Sequence, residues 1–483
     1  MLLPCDLCLK QVESRLYSYR ELAVSQHLFS SLSLRPQLTE SIESLGYAAM
    51  TSIQQQSLPQ ILEGEDVIAQ GHTSSGKTAA FAIGLLNQLE LNAFEPQALV
   101  LCPTRELCEQ VASEIRRLAR AIPNVKVLSV YGGVSIKNQI DSLAKGVHIV
   151  VGTPGRVEDI MIKKSIELES IKTLVLDEAD KMLDMGFKKT LEVIVPMLPS
   201  QRQTLLFSAT FPKEIETLAN KVTTNPDFIK VAPSQDTARI DEACYLVDRD
   251  GDRLEATKKL LLDQGHHQCV VFCNTRQDAQ QVAGGLKSSG FSAAALHGDM
   301  DQKDRDQTLI RFSNGSLCVL VATDVASRGL DISNLPLVIN HQLPKELEVY
   351  THRIGRTGRA GEKGIALSLY TKGEVFRIDK LSGYLGRKLP QKELPVEQVL
   401  SQTPLKAKMS TLRIEGGKKQ KLRPGDLVGA LTKTGELTGE QLGDIKIFSQ
   451  WAYIAVEREL AKIALQTISE GRIKGKKFRA KLV

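Results

Sequence analysis

The sequence predicts an α/β protein with two tandem parallel-sheet domains and a small α+β domain at the C-terminal end. Short apolar runs, such as ALVLCPT, TLVLDEAD and TLLFSAT in the first half and QCVVFCNT and LCVLVATD in the second, alternate with stretches of helical spacing. Apolar strands that alternate with amphipathic helices are typical of parallel sheets covered on both faces. Towards the C-terminal end the pattern changes to strand, helix, two strands, helix and strand, which predicts the third unit.

Length and composition limit the class of protein. The chain has 483 residues, of which 42% are hydrophobic and 24% are charged, so we expect roughly two to four soluble globular domains. No apolar run approaches the roughly 20 residues that cross a bilayer, and the first residues lack the pattern of a secretory signal. We therefore expect a cytoplasmic protein that does not use a membrane.

Polar segments that interrupt the alternation of predicted strands and helices indicate the domain boundaries. The polar stretch VAPSQDTARIDEA separates the two sets of strands, and the charged segment GRKLPQKELPVEQVLSQTPLKAK follows the second set. The predicted units are an N-terminal extension expected to be disordered (1–27), a first sheet domain (28–232), a linker (233–242), a second sheet domain (243–392), a linker (393–408) and the small domain (409–483). Only the first sheet domain has a phosphate-binding pattern, so a monomer that completes one site is the simplest expectation.

The octapeptide GHTSSGKT fits the pattern G-x-x-x-x-G-K-[ST]. It lies between an apolar run and a helical pattern, so its backbone N–H groups can point at phosphate oxygens. Lys77 would neutralise the β and γ phosphates, and Thr78 would supply a hydroxyl to Mg²⁺. The predicted nucleotide contacts are Gly71, His72, Thr73, Ser74, Ser75, Gly76, Lys77 and Thr78.

The tetrapeptide DEAD, residues 177–180, ends the apolar run TLVL. A carboxylate at the end of a strand can hold hydrated Mg²⁺, here Asp177 through water, and Glu178 can orient or deprotonate an attacking water. By itself, an acidic tetrapeptide also fits a solvated turn. In combination with the phosphate loop it predicts nucleotide hydrolysis, with Lys77, Asp177 and Glu178 as catalytic residues.

The segment HRIGRTGRAG offers Arg353, Arg356 and Arg359 in the second sheet domain. Arginine suits the charge that develops on a γ phosphate, and residues three apart lie on one helix face. Arg356 and Arg359 are therefore predicted to be catalytic. A solvated basic face is the alternative for the segment alone.

In this order, the motifs resemble those of the DEAD-box ATP-dependent RNA helicases of superfamily two, from about Phe29 to Leu389. The resemblance implies two RecA-like domains, ATP and Mg²⁺ as cofactors, and local unwinding of RNA duplexes. It implies that Gln54 reads adenine, that Phe29 is the upstream aromatic, and that Asp331 lies near the ATP ribose. DEAD-box loops usually run A-x-T-G-S-G-K-T, so Gly71 and Ser74 depart from the pattern; we expect Ser74 to leave the site functional.

The same resemblance assigns the remaining motif residues. It implies contacts with the RNA backbone, which carry little base information, and coupling of hydrolysis to domain closure. The implied RNA contacts are Thr104, Arg105, Gly133, Thr153, Arg156 and Thr323, and the implied coupling residues are Asp180, Ser208, Thr210 and His352.

Positive charge is concentrated near the C-terminus. Residues 405–483 contain 17 Lys and Arg against 8 Asp and Glu, a net charge of +9, which suits a polyanion. The segment resembles the RNA-binding domain of one helicase subfamily, which is directed to large-subunit ribosomal RNA during ribosome assembly. The order of its elements resembles an RRM, in which alternating aromatic residues, here Trp451 and Tyr453, stack on bases.

Two surfaces of this domain are candidates for RNA binding, namely the sheet face and a group of basic residues. The first predicted strand, TLRIEG, lacks the aromatic residue that an RRM usually carries, and packing within the sheet is an alternative role for Trp451 and Tyr453. The rival surface is basic and contains Lys418, Lys419, Lys421, Arg423, Lys474, Lys476 and Lys477.

Other functional classes remain open or are disfavoured. An ATP-gated RNA clamp that does not separate strands fits the same motifs as a helicase. A GTP-driven switch is disfavoured because the N-K-x-D pattern is missing; its near match, NKVT, lacks the aspartate. The cysteines in or beside apolar runs are expected to be reduced, and Cys5 and Cys8 lack the second pair of ligands that a metal site needs.

Overall fold

The computed structural model of the chain describes residues 28–71, 75–231, 240–324, 335–358, 363–433 and 435–483. Their strands form two seven-stranded sheets and one four-stranded sheet. The described residues divide into two compact units: the first contains those up to residue 231, and the second contains those from residue 240 onward. No helix among the described residues is both long and apolar enough to span a membrane.

The first unit has a parallel sheet in the order β3-β4-β2-β5-β6-β1-β7. Its strands are β1 (Val67–Gln70), β2 (Ala98–Leu101), β3 (Val127–Val130), β4 (Ile149–Gly152), β5 (Thr173–Leu176), β6 (Gln203–Ser208) and β7 (Asp227–Lys230). Its helices are α1 (Pro36–Ser44), α2 (Ser52–Glu63), α3 (Lys77–Gln88), α4 (Arg105–Leu118), α5 (Ile136–Leu143), α6 (Pro154–Ile162), α7 (Ala179–Asp184), α8 (Lys188–Ile194) and α9 (Lys213–Val222). Strands β2, β4 and β5 are buried along their whole length, as expected where helices cover both faces.

The second unit begins with a parallel sheet in the order β10-β11-β9-β12-β13-β8-β14. Its strands are β8 (Ile240–Val247), β9 (Cys269–Cys273), β10 (Ala293–Leu296), β11 (Val319–Thr323), β12 (Leu337–Asn340), β13 (Gly364–Thr371) and β14 (Gln391–Lys392). The helices described around it are α10 (Arg253–Gln264), α11 (Arg276–Ser288), α12 (Gln302–Ser313), α13 (Leu347–Ile354) and α14 (Val375–Leu385). Strand β8 starts inside the segment that the sequence suggested as a linker.

The C-terminal part of the second unit is an antiparallel sheet in the order β16-β17-β15-β18. Its elements are β15 (Met409–Ile414), α15 (Pro424–Thr432), β16 (Leu442–Ile447), β17 (Ala452–Glu457), α16 (Ala461–Glu470) and β18 (Ala480–Leu482). One sheet face packs Leu412, Ile414 and Ile454 against Leu427 and Ala464 of the helices. Two parallel-sheet domains and a small α+β domain therefore confirm the predicted fold class.

The opposite face of this sheet contacts the second sheet domain. Asn314 Nδ2 donates a hydrogen bond of 2.8 Å to Thr411 Oγ1, and Thr411 Oγ1 donates one of 2.8 Å to Ser316 Oγ. Met409 N donates to Gly315 O at 3.4 Å. Thr411 is fully buried, so this contact excludes water from the middle of β15.

Cys102, Cys108, Cys244, Cys269, Cys273 and Cys318 are buried and unbridged. Burial raises the pKa of Cys244 to about 12 and that of Cys273 to about 12, where nearby Asp278 adds to the shift. The expectation of reduced, hydrophobic cysteines is confirmed for these six residues. Cys5 and Cys8 lie outside the described residues.

Candidate nucleotide and RNA sites

The phosphate loop connects β1 to α3. Lys77 is 3% exposed, and its Nζ donates a hydrogen bond of 2.8 Å to Gly71 O. Gly76 has a φ of +92°, and a Cβ there would lie 2.6 Å from Gln54 Nε2. Glycine is therefore required at position 76, because an L side chain would be strained and would collide with Gln54.

Gln54 is tied to this loop. Its Nε2 donates to Gly76 O at 3.1 Å, and its Oε1 accepts from Thr51 N at 2.9 Å. Thr51 Oγ1 in turn donates to Ser75 O at 2.7 Å. Phe29, the other residue implied near the base, is 5% exposed and packs edge to face against Tyr47. The structure thus places Gln54 beside the loop, although the loop residues 72–74 are not described.

Asp177 and Glu178 follow β5 at the same edge of the sheet. Both are buried, and burial raises the pKa of the Asp177 carboxyl to about 6, although Lys77 acts in the opposite direction. Glu178 adopts a φ of +52°, a left-handed conformation that is uncommon for a residue with a side chain. Such a conformation marks a functional position when the surrounding structure maintains it.

A buried ion pair fixes one oxygen of Glu178. Lys181 Nζ lies 2.7 Å from Glu178 Oε1, and both side chains are 4% exposed. Glu178 Oε2 is buried and has no hydrogen-bond partner in the part of the chain that the structure describes. An unpartnered carboxylate oxygen is costly to bury, and it is available to accept a proton from a water molecule.

Asp180 connects the DEAD sequence to the end of β6. Its Oδ2 accepts from Thr210 N at 3.0 Å and from Thr210 Oγ1 at 3.0 Å, and also from Ala209 N. Burial disfavours its ionisation, but Lys77 and the donors of Thr210 hold the pKa of Asp180 below its usual value. Ser208 Oγ donates to Thr210 O at 2.7 Å. Three of the four implied coupling residues are therefore in one network.

The implied RNA contacts of the first domain gather at the carboxyl ends of adjacent strands. Thr104 follows β2 and caps α4, accepting from Leu107 N at 3.2 Å, and Thr153 follows β4 and precedes α6. Gly133 follows β3 with a φ of +81°, and a Cβ there would lie 1.9 Å from Arg105 Nη1. Strand order thus brings these residues to one edge.

Arg156 is held at this edge as well. Its Nη1 donates to Gln139 Oε1 at 2.8 Å and to Val134 O at 3.1 Å. Threonine hydroxyls and arginines at the ends of neighbouring strands are suited to phosphate groups rather than to base edges.

In the second sheet domain, Arg353 has a structural role. It is 1% exposed and makes two hydrogen bonds with Asp324, of 2.6 and 2.7 Å. It also donates to Asn274 Oδ1 at 2.9 Å and lies over the ring of Phe272. This arrangement removes Arg353 from the group of cations available to a γ phosphate.

The other predicted residues of this domain are only partly described. Arg356 is 8% exposed, and Thr323 at the end of β11 is 6% exposed. His352 lies in the last turn of α13. Four further predictions, namely His72, Thr73, Ser74 and the ribose contact Asp331, lie outside the described residues, as does Arg359.

The predicted basic residues of the C-terminal domain form one surface, which we call the basic patch. Lys474 Nζ donates to Lys421 O at 2.9 Å and pairs with Asp426 at 2.9 Å, so two segments distant in sequence are joined. All seven side chains are exposed, namely Lys418, Lys419, Lys421, Arg423, Lys474, Lys476 and Lys477.

The predicted stacking surface has a different character. Tyr453 is 0% exposed; burial raises its pKa, Arg413 opposes the shift, and Asp306 and Asp304 of α12 add to it. Trp451 is half-buried, and the Arg413 guanidinium lies 5.3 Å from its ring centroid. The two aromatic residues do share a face, but a fully buried Tyr453 cannot stack on a base, so the stacking role predicted for it is not supported in this structure.

Sequence reasoning missed two contributors to these sites. Lys181 lies three residues after Glu178, a spacing that brings side chains together on a helix, so its pairing was detectable. Thr51 lies beside the motif that contains Gln54, but its bond to the phosphate loop depends on the packing of α2 against α3, which no local pattern shows.

Comparisons with known proteins agree with this arrangement. The family described as DEAD/DEAH box helicase matches residues 51–218, the helicase conserved C-terminal domain matches residues 252–361, and the DbpA RNA binding domain matches residues 411–482. The chain is similar to the ATP-dependent RNA helicase DbpA of Escherichia coli, with 46% identity over 94% of this chain and 99% of that protein. It is 36% identical to DbpA of Bacillus subtilis over 93% of this chain and 98% of that protein.

The two helicase domains are also similar to those of a solved structure. Saccharomyces cerevisiae Dbp5 bound to RNA and ADP BeF3 is 30% identical to this chain and has a TM-score of 0.69. The match covers 77% of this chain and 96% of the Dbp5 chain. The similarity therefore extends to a protein that carries both RNA and a nucleotide.

Proposed function

Because this chain belongs to the DEAD-box ATP-dependent RNA helicases and carries a DbpA RNA-binding domain, we propose that it unwinds large-subunit ribosomal RNA during ribosome assembly. Its site residues are threonines and arginines suited to RNA backbone, so the choice of RNA must come from elsewhere. The C-terminal domain, with its net charge of +9 from residue 405 onward, is the part of the chain that supplies it.

The basic patch is the main RNA surface of this domain in our proposal. The alternative surface, the outer sheet face, is closed in its centre because Thr411 and Tyr453 are both 0% exposed. The basic patch instead presents its cations to solvent, and within the described part of the chain only Lys474 forms an ion pair, with Asp426. A cluster of this kind releases counterions when phosphates bind, which favours RNA.

Mg²⁺ belongs to the proposed site, and the residues present fit it. Asp177 is a buried carboxylate at the end of β5 beside Lys77, and Thr78 lies in the first turn of α3. Mg²⁺ is usually held by one or two carboxylates together with phosphates and water. When bound with ATP, the ion would neutralise charge on the β and γ phosphates; Asp177 and Thr78 would hold it, and Glu178 Oε2 would accept the proton of the attacking water.

The targeting proposal is tested by strand displacement. A short RNA duplex is attached to a hairpin of large-subunit ribosomal RNA, and a matched duplex carries an unrelated hairpin of equal length. We expect ATP-dependent displacement of the first duplex at a much higher rate, because the hairpin concentrates the enzyme at the duplex. Equal rates on the two substrates would refute ribosomal RNA as the target and would leave the helicase activity standing.

The surface proposal is tested with charge variants. Lys476→Gln combined with Lys477→Gln should weaken binding of the ribosomal hairpin and lower its dependence on salt. Lys462→Gln with Lys433→Gln removes the same charge from two exposed positions outside the basic patch and should leave binding unchanged. If both double variants lost the same affinity for the hairpin, RNA binding would depend on the net charge of the domain and not on the basic patch.

A further inference from the structure

A cavity of about 600 Å³ lies where the second sheet domain meets the C-terminal domain. We call it the seam cavity. Residues from α11, β10 and α12 line one side of it, and Lys406, Met409, Ser410 and Arg458 line the other. Strand β10 is the outermost strand of its sheet, so its edge borders the seam cavity.

The charged side chains around the seam cavity are all cationic. They are Lys287, Arg311, Lys406 and Arg458, and no Asp or Glu side chain is among the described residues that line it. A terminal carboxylate on Val483, which also lines the cavity, would supply one negative charge against these four positive charges. None of the four cations forms an ion pair of 4.0 Å or less within the described part of the chain. Such an excess of one charge attracts a ligand of the opposite charge.

Arg311 is the most informative of the four. Its Nε is buried and lacks a hydrogen-bond partner among the described residues, and burial lowers the pKa of its guanidinium. Burying a cation without a counter-charge is unfavourable, and arginine's planar fork matches a phosphate group. Hydroxyl groups of Ser292, Thr308 and Ser410 line the same cavity and can donate to phosphate oxygens.

We propose that the seam cavity binds a phosphate group, and specifically the backbone of the RNA that the C-terminal domain holds. The inference goes beyond the proposed function, because it requires RNA binding but no particular RNA. The seam cavity uses residues separate from the basic patch and from the helicase motifs. A phosphate bound there contacts both domains, and it therefore links the RNA to both at once.

The test uses a labelled hairpin RNA with a single-stranded extension and the full-length protein. Arg311→Gln and, separately, Lys287→Gln remove one charge each, and Lys388→Gln is the matched control because Lys388 is exposed and does not line the seam cavity. Losing one phosphate contact lowers the slope of log affinity against log salt by about 0.7 to 0.9, which corresponds to a loss of roughly five- to eightfold at about 0.1 M salt. We expect this change for both cavity variants and none for the control.

A second arm distinguishes RNA from free phosphate. Thermal unfolding is measured with inorganic phosphate at constant ionic strength. If phosphate raises the melting temperature of the wild type but not of Arg311→Gln, while RNA affinity is the same in both, the seam cavity takes free phosphate, which overturns the RNA part of the proposal. If neither RNA affinity nor phosphate stabilisation differs between the cavity variants and Lys388→Gln, the seam cavity is not a phosphate site. Lys287 is exposed, so its variant keeps the test decisive if Arg311→Gln fails to fold.

Discussion

Lys181 Nζ lies 2.7 Å from Glu178 Oε1, and Oε2 of the same carboxylate is buried without a hydrogen-bond partner among the residues that the structure describes. Lys181 therefore fixes the orientation of the Glu178 carboxylate, the group that we expect to face the attacking water. We predict that Lys181→Met lowers kcat for RNA-stimulated ATP hydrolysis by roughly ten- to a hundredfold, since small displacements of a catalytic group have effects of this size. KM for ATP should change little, because Lys181 makes no predicted contact with the nucleotide.

Two controls separate orientation from damage to the fold. Lys181→Arg keeps the charge and should restore most of the lost kcat. In a Glu178→Gln background, Lys181→Met should cause no further loss, since the group that it orients is already inactive. A further loss of the same size in that background would mean that Lys181 acts independently of Glu178.

Asp177 should make stability depend on pH. Burial raises its pKa from 3.8 to about 6, so the folded state favours the protonated form. The contribution of Asp177 to stability is fully present below about pH 4 and is lost as the pH rises through about 6. Asp177→Asn removes this dependence on pH. We would measure the free energy of unfolding of the wild type and the variant by denaturant titration without nucleotide. The difference between the two proteins should change between pH 4 and 6 and be constant above pH 7. A constant difference would show that Asp177 titrates at its ordinary value.

Thr210 should affect coupling more than hydrolysis. Thr210→Val removes the 3.0 Å bond from its hydroxyl to Asp180 Oδ2 but keeps the backbone donors of Thr210 and Ala209. We expect ATP turnover within about fivefold of the wild type, because losing one hydrogen bond typically costs about 1 kcal/mol, with fewer strands separated per ATP. The ratio of displacement rate to hydrolysis rate measures this effect, and an unchanged ratio would remove Thr210 from the coupling network.

Gly133 should be required for RNA binding by the first domain. In Gly133→Ala, the new Cβ would lie 1.9 Å from Arg105 Nη1, so Arg105 must move, and RNA affinity should fall while ATP affinity is kept. Gly186→Ala is the control, because Gly186 has nearly the same φ, +82° against +81°, but no atom within 4 Å of the new Cβ. Both variants carry the conformational cost of about 1 kcal/mol; equal RNA affinities in the two would contradict the role of Arg105.

Tyr453 should contribute to stability and not to RNA binding. Tyr453→Leu should lower the free energy of unfolding by about 1 to 3 kcal/mol, since it removes a buried ring, and leave the RNA affinity of the folded protein unchanged. A residue that stacks on a base would instead cost about 1 to 3 kcal/mol of binding.

The hydroxyl of the same residue gives a separate measurement. Tyr453 Oη is buried, and no described residue forms a hydrogen bond with it. Tyr453→Phe should therefore unfold at the same or a higher denaturant concentration than the wild type. A clear loss of stability would show that the hydroxyl has a partner, such as a bound water.

Much of the fold could be predicted from apolar periodicity, since strands such as β5 and β11 are buried on both faces and appear as continuous apolar runs. The nucleotide site could be predicted for a related reason: Lys77, Asp177 and Asp180 lie in short motifs at strand ends, where parallel topology brings them together. The start of β8 at Ile240 lies in the segment predicted as a linker, because the polar Asp241 and Glu242 interrupt its apolar pattern.

Contacts between domains could not be predicted. The sequence correctly put Trp451 and Tyr453 on one face, but period-two alternation gives the face and not its partner. The burial of Tyr453 depends on the second sheet domain, and the contact of Asn314 with Thr411 joins residues 97 positions apart. Contacts within a domain can be hidden as well: the segment that contains Arg353 shows no sign of its partner Asp324, which lies 29 positions earlier in the same domain.

The six buried cysteines can report when each part of this protein unfolds, because each thiol reacts with an alkylating reagent only after it becomes accessible. The thiolate is the form of cysteine that attacks thiol reagents, and the raised pKa values of residues such as Cys244 and Cys273 keep the thiolate scarce while the domains stay folded. Cys102 and Cys108 lie in the first unit and the other four in the second. In a variant with serine at positions 5 and 8, pulsed alkylation followed by mass spectrometry would measure the rate at which the cysteines of each unit become accessible. As a control, a cysteine introduced at the surface should be labelled before the buried ones.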